Sequence, residues 1–259
     1  LTTLHAAFNQ ISFVSGFPNS LLYVHLENNQ LYSLPSLPNS IDLFSCGNNQ
    51  LPGLPALPAS LNSLHCSGNL IAAIPPLPNF LTDLWCNDNL LTTLPTLPNT
   101  LTTLMCEQKQ LTSLPPLSNS LINFSCAGNP LTTLPPLPNS LWSLYCVNCS
   151  LTSIPAVPNS LRYLNYSYNQ LTRLPELPHT LDQLICNNNP NLNCLPQLNR
   201  ITTLNFSSTG VSCLPNYGSV VNSTPLLSGF PLCGLFNPDG CQFYWNISGK
   251  SYFDMNINC

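Results

Sequence analysis

The cysteines are the residues of this sequence with the most obvious chemistry. Thirteen of the 259 residues are cysteine, and two of them form a CxxC pair, Cys146-Val-Asn-Cys149. Such a pair can be a redox dithiol or half of a zinc site, because thiolates act both as nucleophiles and as zinc ligands. Whether either role applies depends on the elements that position the two thiols.

The elements around the cysteines repeat every twenty residues. Written as a template, each repeat reads LxxLxCxxNxLxxLPxLPNS, and eleven repeats begin at positions 1, 21, 41 and so on to 201. A period of this length is the sequence pattern of a stacked repeat architecture. The period is clearest in a Leu-Pro or Ile-Pro pair, at Leu34-Pro35, Leu54-Pro55, Ile74-Pro75, Leu94-Pro95, Leu114-Pro115, Leu134-Pro135, Ile154-Pro155 and Leu174-Pro175.

Each part of the template predicts a local structure. The alternation in LxxLxC predicts a short strand whose second Leu and whose Cys point inward. The Asn in the ninth position predicts a turn whose side-chain amide satisfies backbone groups. The two prolines fix φ and remove N–H donors, so they favour an extended return path over a helix.

The template also predicts the role of the CxxC pair. Cys146 is in the sixth position, which holds Leu26, Tyr166 and Phe206 in other repeats and is therefore predicted to be a core position, while Cys149 is in the Asn column. A ladder with one thiol per repeat cannot place four ligands tetrahedrally around zinc. We therefore favour buried core thiols over a metal or redox role. The same column holds Cys46, Cys66, Cys86, Cys106, Cys126 and Cys186.

The template resembles the leucine-rich repeat family, specifically its short bacterial class with LPxLP, over residues 1 to about 215. The resemblance implies a leucine-rich repeat solenoid with parallel β-strands on a concave face, an irregular or polyproline-like convex face, and few or no helices. Relatives of similar repeat length include type III secreted effectors, some of which carry a ubiquitin-ligase domain. The Cys in the sixth position and the LPNS ending look more like secreted surface proteins of Bacteroidetes that are exported by the type IX system.

We predict three segments along the chain. Residues 1–215 form the solenoid of eleven repeats, residues 216–241 form a cysteine-containing C-terminal cap, and residues 242–259 begin a following β-rich domain. The sequence opens directly on a patterned segment, so we expect it to be part of a longer protein.

Cysteines near the end of the solenoid leave the core column. Cys194 and Cys213 each precede Leu-Pro in consecutive repeats, and Cys233 and Cys241 flank the turn-rich GLFNPDG. Both pairs are predicted disulfides, which would indicate an oxidising location.

The C-terminal segment also carries oxygen-bearing side chains at a spacing of two. Asp254, Asn256 and Asn258 resemble the start of calcium-binding β-sandwich modules, in which such side chains bind a hard cation. The alternative is an ordinary polar turn. Calcium here is the only cofactor that we predict.

Composition and motifs exclude several functions. Only 5% of the residues are charged and the net charge is −4, so there is no basic stripe for nucleic acid. No apolar run reaches the ~20 residues of a membrane helix. The sequence shows no Ser-His-Asp set, paired-carboxylate cleft or phosphate loop, and we predict no enzyme.

The variable outward positions of the strands are the candidate ligand-binding residues. Exposed aromatic side chains with few charges suit a protein interface or a platform for sugar rings, although strands favour aromatic residues in any case. His5 and His25 in adjacent repeats could share a metal or be unrelated. The candidates are Tyr23, His25, His65, Asp83, Trp85, Met105, Trp142, Tyr145, Arg162 and Tyr163.

The sequence therefore predicts a non-catalytic extracellular recognition or adhesion module of a larger secreted bacterial surface protein. It would bind a protein or glycan through its concave face and would meet secretion or outer-membrane machinery during export. One alternative is the substrate-recognition domain of an intracellular type III effector ubiquitin ligase. Another is a rigid spacer, for which replacing the exposed aromatic residues would leave binding unchanged.

Overall fold

The structure is a computed structural model that describes residues 1–107, 110–216, 218–233, 244–247 and 250–253, the last two ranges as backbone. The chain divides into two compact units, an N-terminal unit, Leu1–Leu131, and a C-terminal unit, Thr132–Cys259. Each is described by itself.

The N-terminal unit is a stack of short parallel strands, one from each repeat. Each strand pairs with the next in a register of twenty residues, so that Thr3 lies opposite Tyr23 and Ser63 opposite Asp83. The predicted period is thus also the period of the sheet. In the described residues the strands are β1 (Thr3–His5), β2 (Tyr23–His25), β3 (Leu43–Ser45), β4 (Ser63–His65), β5 (Asp83–Trp85), β6 (Thr103–Met105) and β7 (Asn123–Ser125).

The C-terminal unit continues the same pattern and ends differently. Its parallel strands pair in sequence order from β8 to β12, and an antiparallel hairpin of β13 and β14 follows. Its described strands are β8 (Ser143–Tyr145), β9 (Tyr163–Asn165), β10 (Gln183–Ile185), β11 (Arg200–Asn205), β12 (Ser219–Thr224), β13 (Tyr244–Ile247) and β14 (Lys250–Phe253).

The core is built from the inward columns of the template. In the fifth repeat, for example, Leu81, Leu84, Cys86 and Leu91 are all fully buried. Each such repeat buries only a few apolar side chains, which cannot offset the ordering of twenty residues at ~1–2 kcal/mol each. The repeats are therefore stable only when stacked, because neighbours share apolar surface and backbone hydrogen bonds.

The Asn column satisfies backbone groups at the turns, as predicted, and it also links neighbouring repeats. The amide of Asn69 donates to the carbonyls of Cys66 (3.1 Å) and of Cys46 in the preceding repeat (3.0 Å), and its Oδ1 accepts from the N–H of Leu51 (3.0 Å). The residue before this Asn has a left-handed conformation, as in Asn48 (φ 53°) and Gly68 (φ 68°). Sequence reasoning missed this eighth position, although its Asn, Gly and Asp residues are those that tolerate positive φ.

The return segments contain no α-helix in the part of the chain that the structure describes. The only helical turn described is a 3-10 helix, η1, at Leu227–Gly229. A second polar ladder fixes these segments, because the hydroxyl in the twentieth position donates to the carbonyl of the first residue of its own repeat and, in some repeats, also to a carbonyl of the preceding repeat. Thr100, for instance, donates to the carbonyl oxygens of Asn79 and Leu81, both at 2.8 Å.

The end of the solenoid has two features that the template does not predict. The parallel sheet extends through β12, inside the segment assigned to the cap, and β12 pairs with β11 in a register of nineteen residues. The predicted pairings Cys194–Cys213 and Cys233–Cys241 are wrong, because Cys213 is bonded to Cys233, with their Cα atoms 4.9 Å apart. The parallel bridge of Leu214 with Leu232 brings the two cysteines together. Cys194 is also in a disulfide, and Cys241 lies outside the described residues.

None of the described helical segments is long and apolar enough to cross a membrane.

Candidate functional site

The strands present a regular outward surface, which we call the strand face. It consists of the third and fifth positions of each repeat together with the flanking second and seventh. In β5, Leu84 is fully buried whereas its neighbour Trp85 is 42% exposed, as strand alternation requires. The strand face of each unit is described separately.

In the N-terminal unit, all six predicted site residues lie in strands on this face. The rings of His65 and Trp85, in adjacent strands, have centroids 5.1 Å apart. His5 and His25 stack with centroids 4.7 Å apart and an interplanar angle of 12°. The six residues are Tyr23 and His25 in β2, His65 in β4, Asp83 and Trp85 in β5, and Met105 in β6.

The environment of His65 shifts the pKa of its ring. Burial lowers the pKa of His65 from its ordinary value, which outweighs the opposite effect of the Asp83 and Glu27 carboxylates. Its Nε2 lies 3.1 Å from the hydroxyl of Ser63. His65 is therefore a neutral, hydrogen-bonded ring at neutral pH.

Carboxylates on the same face were largely missed by sequence reasoning. In addition to Asp83, this face has Glu27 and Glu107 in the seventh position of their repeats and Asp42 in the second position of its repeat. The hydroxyl of Ser125, in the last strand of this unit, donates to Glu107 at 2.6 Å, and Nδ1 of His25 lies 3.8 Å from Glu27. Inspection of the positions that flank each strand, as well as those within it, would have found them.

In the C-terminal unit the predicted residues Trp142, Tyr145, Arg162 and Tyr163 also lie on the strand face. Trp142 meets the ring of Tyr163 edge-on, with centroids 4.7 Å apart. Nη1 of Arg162 donates to the carbonyl of Thr180 at 3.1 Å and lies 3.5 Å from the Asp182 carboxylate. Trp142 is 45% exposed and Tyr145 40%, so both side chains are partly open to solvent.

The thiols of the CxxC pair and of the core column are buried. Cys146 and Cys149 are both fully buried, and the Cys149 Sγ donates to the carbonyl of Val147 at 3.5 Å. In the same core column, burial raises the pKa of the Cys66 and Cys186 thiols to about 12. A thiol of this kind is a poor nucleophile and a poor metal ligand near neutral pH.

The described residues contain no group of three His, Cys, Asp or Glu side chains that could hold a metal ion. The stacked rings of His5 and His25 are not part of such a group. The predicted calcium ligands Asp254, Asn256 and Asn258 lie outside the described residues.

Comparison with known proteins places this architecture among leucine-rich repeat structures. No protein-family model and no curated protein matches the sequence. YopM from Yersinia enterocolitica is 30% identical with a TM-score of 0.76, over 85% of this chain and 54% of that one. The chain thus spans about half of that YopM.

Two further structures support the same fold. YopM from Yersinia pestis, described as a leucine-rich effector protein, is 27% identical with a TM-score of 0.68, over 89% of this chain and 80% of that one. A leucine-rich repeat protein from Leptospira interrogans is 22% identical with a TM-score of 0.59, over 75% of this chain and 56% of that one. Proteins of this fold are generally non-catalytic binding domains. Together with the twenty-residue repeats and their parallel strands, these likenesses show that the chain has the leucine-rich repeat fold.

Proposed function

We propose that this chain is a non-catalytic recognition module that binds a protein or glycan through its strand face, within a larger secreted bacterial surface protein. The observation that carries the proposal is the exposure of large aromatic side chains on that face. Tyr23, Trp85, Trp142 and Tyr145 are each 40–45% exposed. Partly exposed rings can provide most of the binding energy of an interface once a partner excludes water from them.

The rigidity of the sheet supports this role. Each of the four rings lies in or beside a strand whose backbone is hydrogen-bonded to its neighbours, and Asn29 and Asn89 fix the turns that follow Tyr23 and Trp85. The N–H of Cys66, just after β4, donates to the carbonyl of Trp85 at 2.8 Å. A preorganised face loses little conformational entropy on binding, so more of the contact energy appears as affinity.

The extracellular location is supported by the disulfide between Cys213 and Cys233. Such bonds persist in secreted and periplasmic proteins and are rare in the reducing cytosol. Export by the type IX system and a Bacteroidetes origin are supported only by the sequence pattern.

A second candidate is the recognition domain of an intracellular effector, such as a type III effector ubiquitin ligase. It is favoured by the likeness to YopM, described as a leucine-rich effector protein. The surface module and the intracellular effector predict different redox states of Cys213 and Cys233. Differential alkylation and mass spectrometry of the protein from its native cells would determine that state. An oxidised pair supports the surface module, and two reduced thiols support the effector.

A ligand selection tests the proposed function. Ligands for the chain would be selected from a protein display library and a glycan array, and their affinities remeasured for Trp85→Ala. We expect at least a tenfold loss, because truncation of a central aromatic anchor costs about 2 kcal/mol or more.

The matched control is Tyr32→Ala, since Tyr32 is 56% exposed but lies outside the strands. Ligands that tolerate Trp85→Ala and lose affinity with Tyr32→Ala would reject the strand face as the site. A selection that yields no ligand from the protein library or from the glycan array would favour the rigid spacer.

A further inference from the structure

We propose that the strand face of the N-terminal unit docks a basic protein segment, one rich in Arg or Lys. The inference rests on the proposed function and names the chemistry of the partner. It is carried by the exposed rings of Tyr23 and Trp85 and by the fixed negative charge around them.

The charge balance of this unit is one-sided. Residues 1–131 contain five acidic residues, Glu27, Asp42, Asp83, Asp88 and Glu107, and one basic residue, Lys109. All of the acids except Asp88 lie on the strand face. In the described residues of the unit, the only close approach of a basic side chain to a carboxylate is that of His25 to Glu27, at 3.8 Å, which is an ion pair only when His25 is protonated. By contrast, the C-terminal unit pairs Arg162 with Asp182 on its own strand face.

Neutral donors hold these carboxylates in place without cancelling their charge. The Asn62 amide donates to Asp42, and the Thr82 hydroxyl donates to Asp83 at 2.6 Å. Glu107 is held by Ser125 in the same way. Oε2 of Glu27 is buried and has no hydrogen-bond partner.

The rings add a second mode of recognition for the same partner. Guanidinium and ammonium groups bind over the faces of Trp and Tyr rings, and Arg also stacks on them. Trp85 is 42% exposed and Tyr23 41%, and both lie in strands that carry or adjoin the carboxylates. A basic side chain can therefore contact a ring and a carboxylate together.

The spacing of the carboxylates fits a short extended segment. Glu27 belongs to the second repeat and Glu107 to the sixth, so four strand spacings separate them, or about 19 Å. An extended chain covers that distance with about six residues.

Charge also decides which partner the face excludes. A second copy of this chain is a poor source of basic residues, because it has five Lys and Arg in total and a net charge of −4. Nucleic acids and anionic lipids would be repelled by the carboxylates. The occupant is therefore a basic segment of another protein.

The test uses the full chain and two synthetic peptides of about ten residues, long enough to span the four strand spacings. One alternates Arg with Ser, and the other has citrulline, the neutral isostere, in place of each Arg. We expect the Arg peptide to bind at least about tenfold more tightly at low salt and to weaken as salt rises, because salt screens exposed charges.

The test variant combines Asp42→Asn, Asp83→Asn and Glu107→Gln. We expect it to lose about tenfold in affinity for the Arg peptide, since each exposed pair is worth a factor of roughly 1.4 to 5. The matched control is Asp88→Asn, because Asp88 lies on a turn at φ 50°, a conformation that Asn tolerates. We expect the control to stay within about twofold of the unmodified chain.

Equal binding of the two peptides would overturn the inference, as would equal affinities of the triple and control variants. If the triple variant does not fold, the salt dependence decides, and an affinity for the Arg peptide that does not fall with salt overturns it. Selected ligands that depend on Trp85 and bind the triple variant normally would also overturn it, while leaving the proposed function intact.

Discussion

At the residue scale, the Asn column shows how one side-chain type holds a repeat protein together. Asn69, at 5% exposure, joins its own turn to the preceding repeat with an amide that no apolar side chain can replace. Asn9, in the first repeat, donates only to carbonyls of its own turn, those of Ala6 and Ala7. The two residues occupy the same position of the repeat, but Asn69 bonds to a neighbouring repeat and Asn9 does not.

We therefore expect Asn69→Ala to lower the free energy of unfolding by about 2–4 kcal/mol, because it leaves buried backbone groups without partners. Urea denaturation measures the change. Asn9→Ala is the matched control and should cost less than about 1 kcal/mol, since the exposed turn can bond to water. Equal losses at both positions would show that the column does not act by bridging repeats.

His65 makes stability depend on pH. Because burial lowers its pKa in the folded chain, the unfolded chain binds a proton more readily. Stability contributed by neutral His65 is thus fully present above the ordinary pKa of about 6.5 and falls as the pH drops below it. Chemical denaturation from pH 8 to pH 5 should show His65→Gln losing less stability on acidification than the unmodified chain. A steeper loss in the variant would contradict the assigned cause.

At the element scale, the sequence predicted the strands, the inward columns and the absence of α-helices in the described return segments. Each follows from side-chain types recurring at one position, such as the Cys column at Cys66 and Cys86. The end of the solenoid could not be predicted in this way, because the template is lost near residue 215. In the sequence, Cys213 has two candidate disulfide partners about one repeat away, Cys194 and Cys233. A twenty-residue period does not distinguish between them.

The hydroxyl ladder of the return segments can be tested where it is interrupted. Phe80 takes the twentieth position of the fourth repeat, where the other repeats among the first nine have Ser or Thr, and it is 65% exposed. A hydroxyl there would reach the carbonyl of Leu61, as Ser60 reaches that of Ile41 at 2.6 Å. We expect Phe80→Ser to be about 0.5–1.5 kcal/mol more stable than Phe80→Ala. Identical urea midpoints for the two variants would show that the hydroxyl adds nothing.

At the scale of the whole molecule, the chain is a set of repeats whose interior is constant and whose strand face varies. The interior accounts for the fold shared with YopM, and the variable positions are the ones that we propose bind a ligand. The N-terminal unit carries fixed carboxylates beside rings, whereas the C-terminal unit carries the Trp142–Tyr163 pair and the Arg162–Asp182 ion pair. The side chains of the strand face thus differ between units of the same architecture.

The central claim is that ligands bind on the strand face, and hydroxyl-radical footprinting with a selected ligand tests it most directly. Oxidation of exposed side chains would be quantified by mass spectrometry with and without the ligand. For a ligand of the N-terminal unit we predict protection of Trp85, Met105 and Tyr23, with Tyr32 oxidised equally in both samples. Protection of Tyr32 with unchanged oxidation of Trp85 would contradict the account.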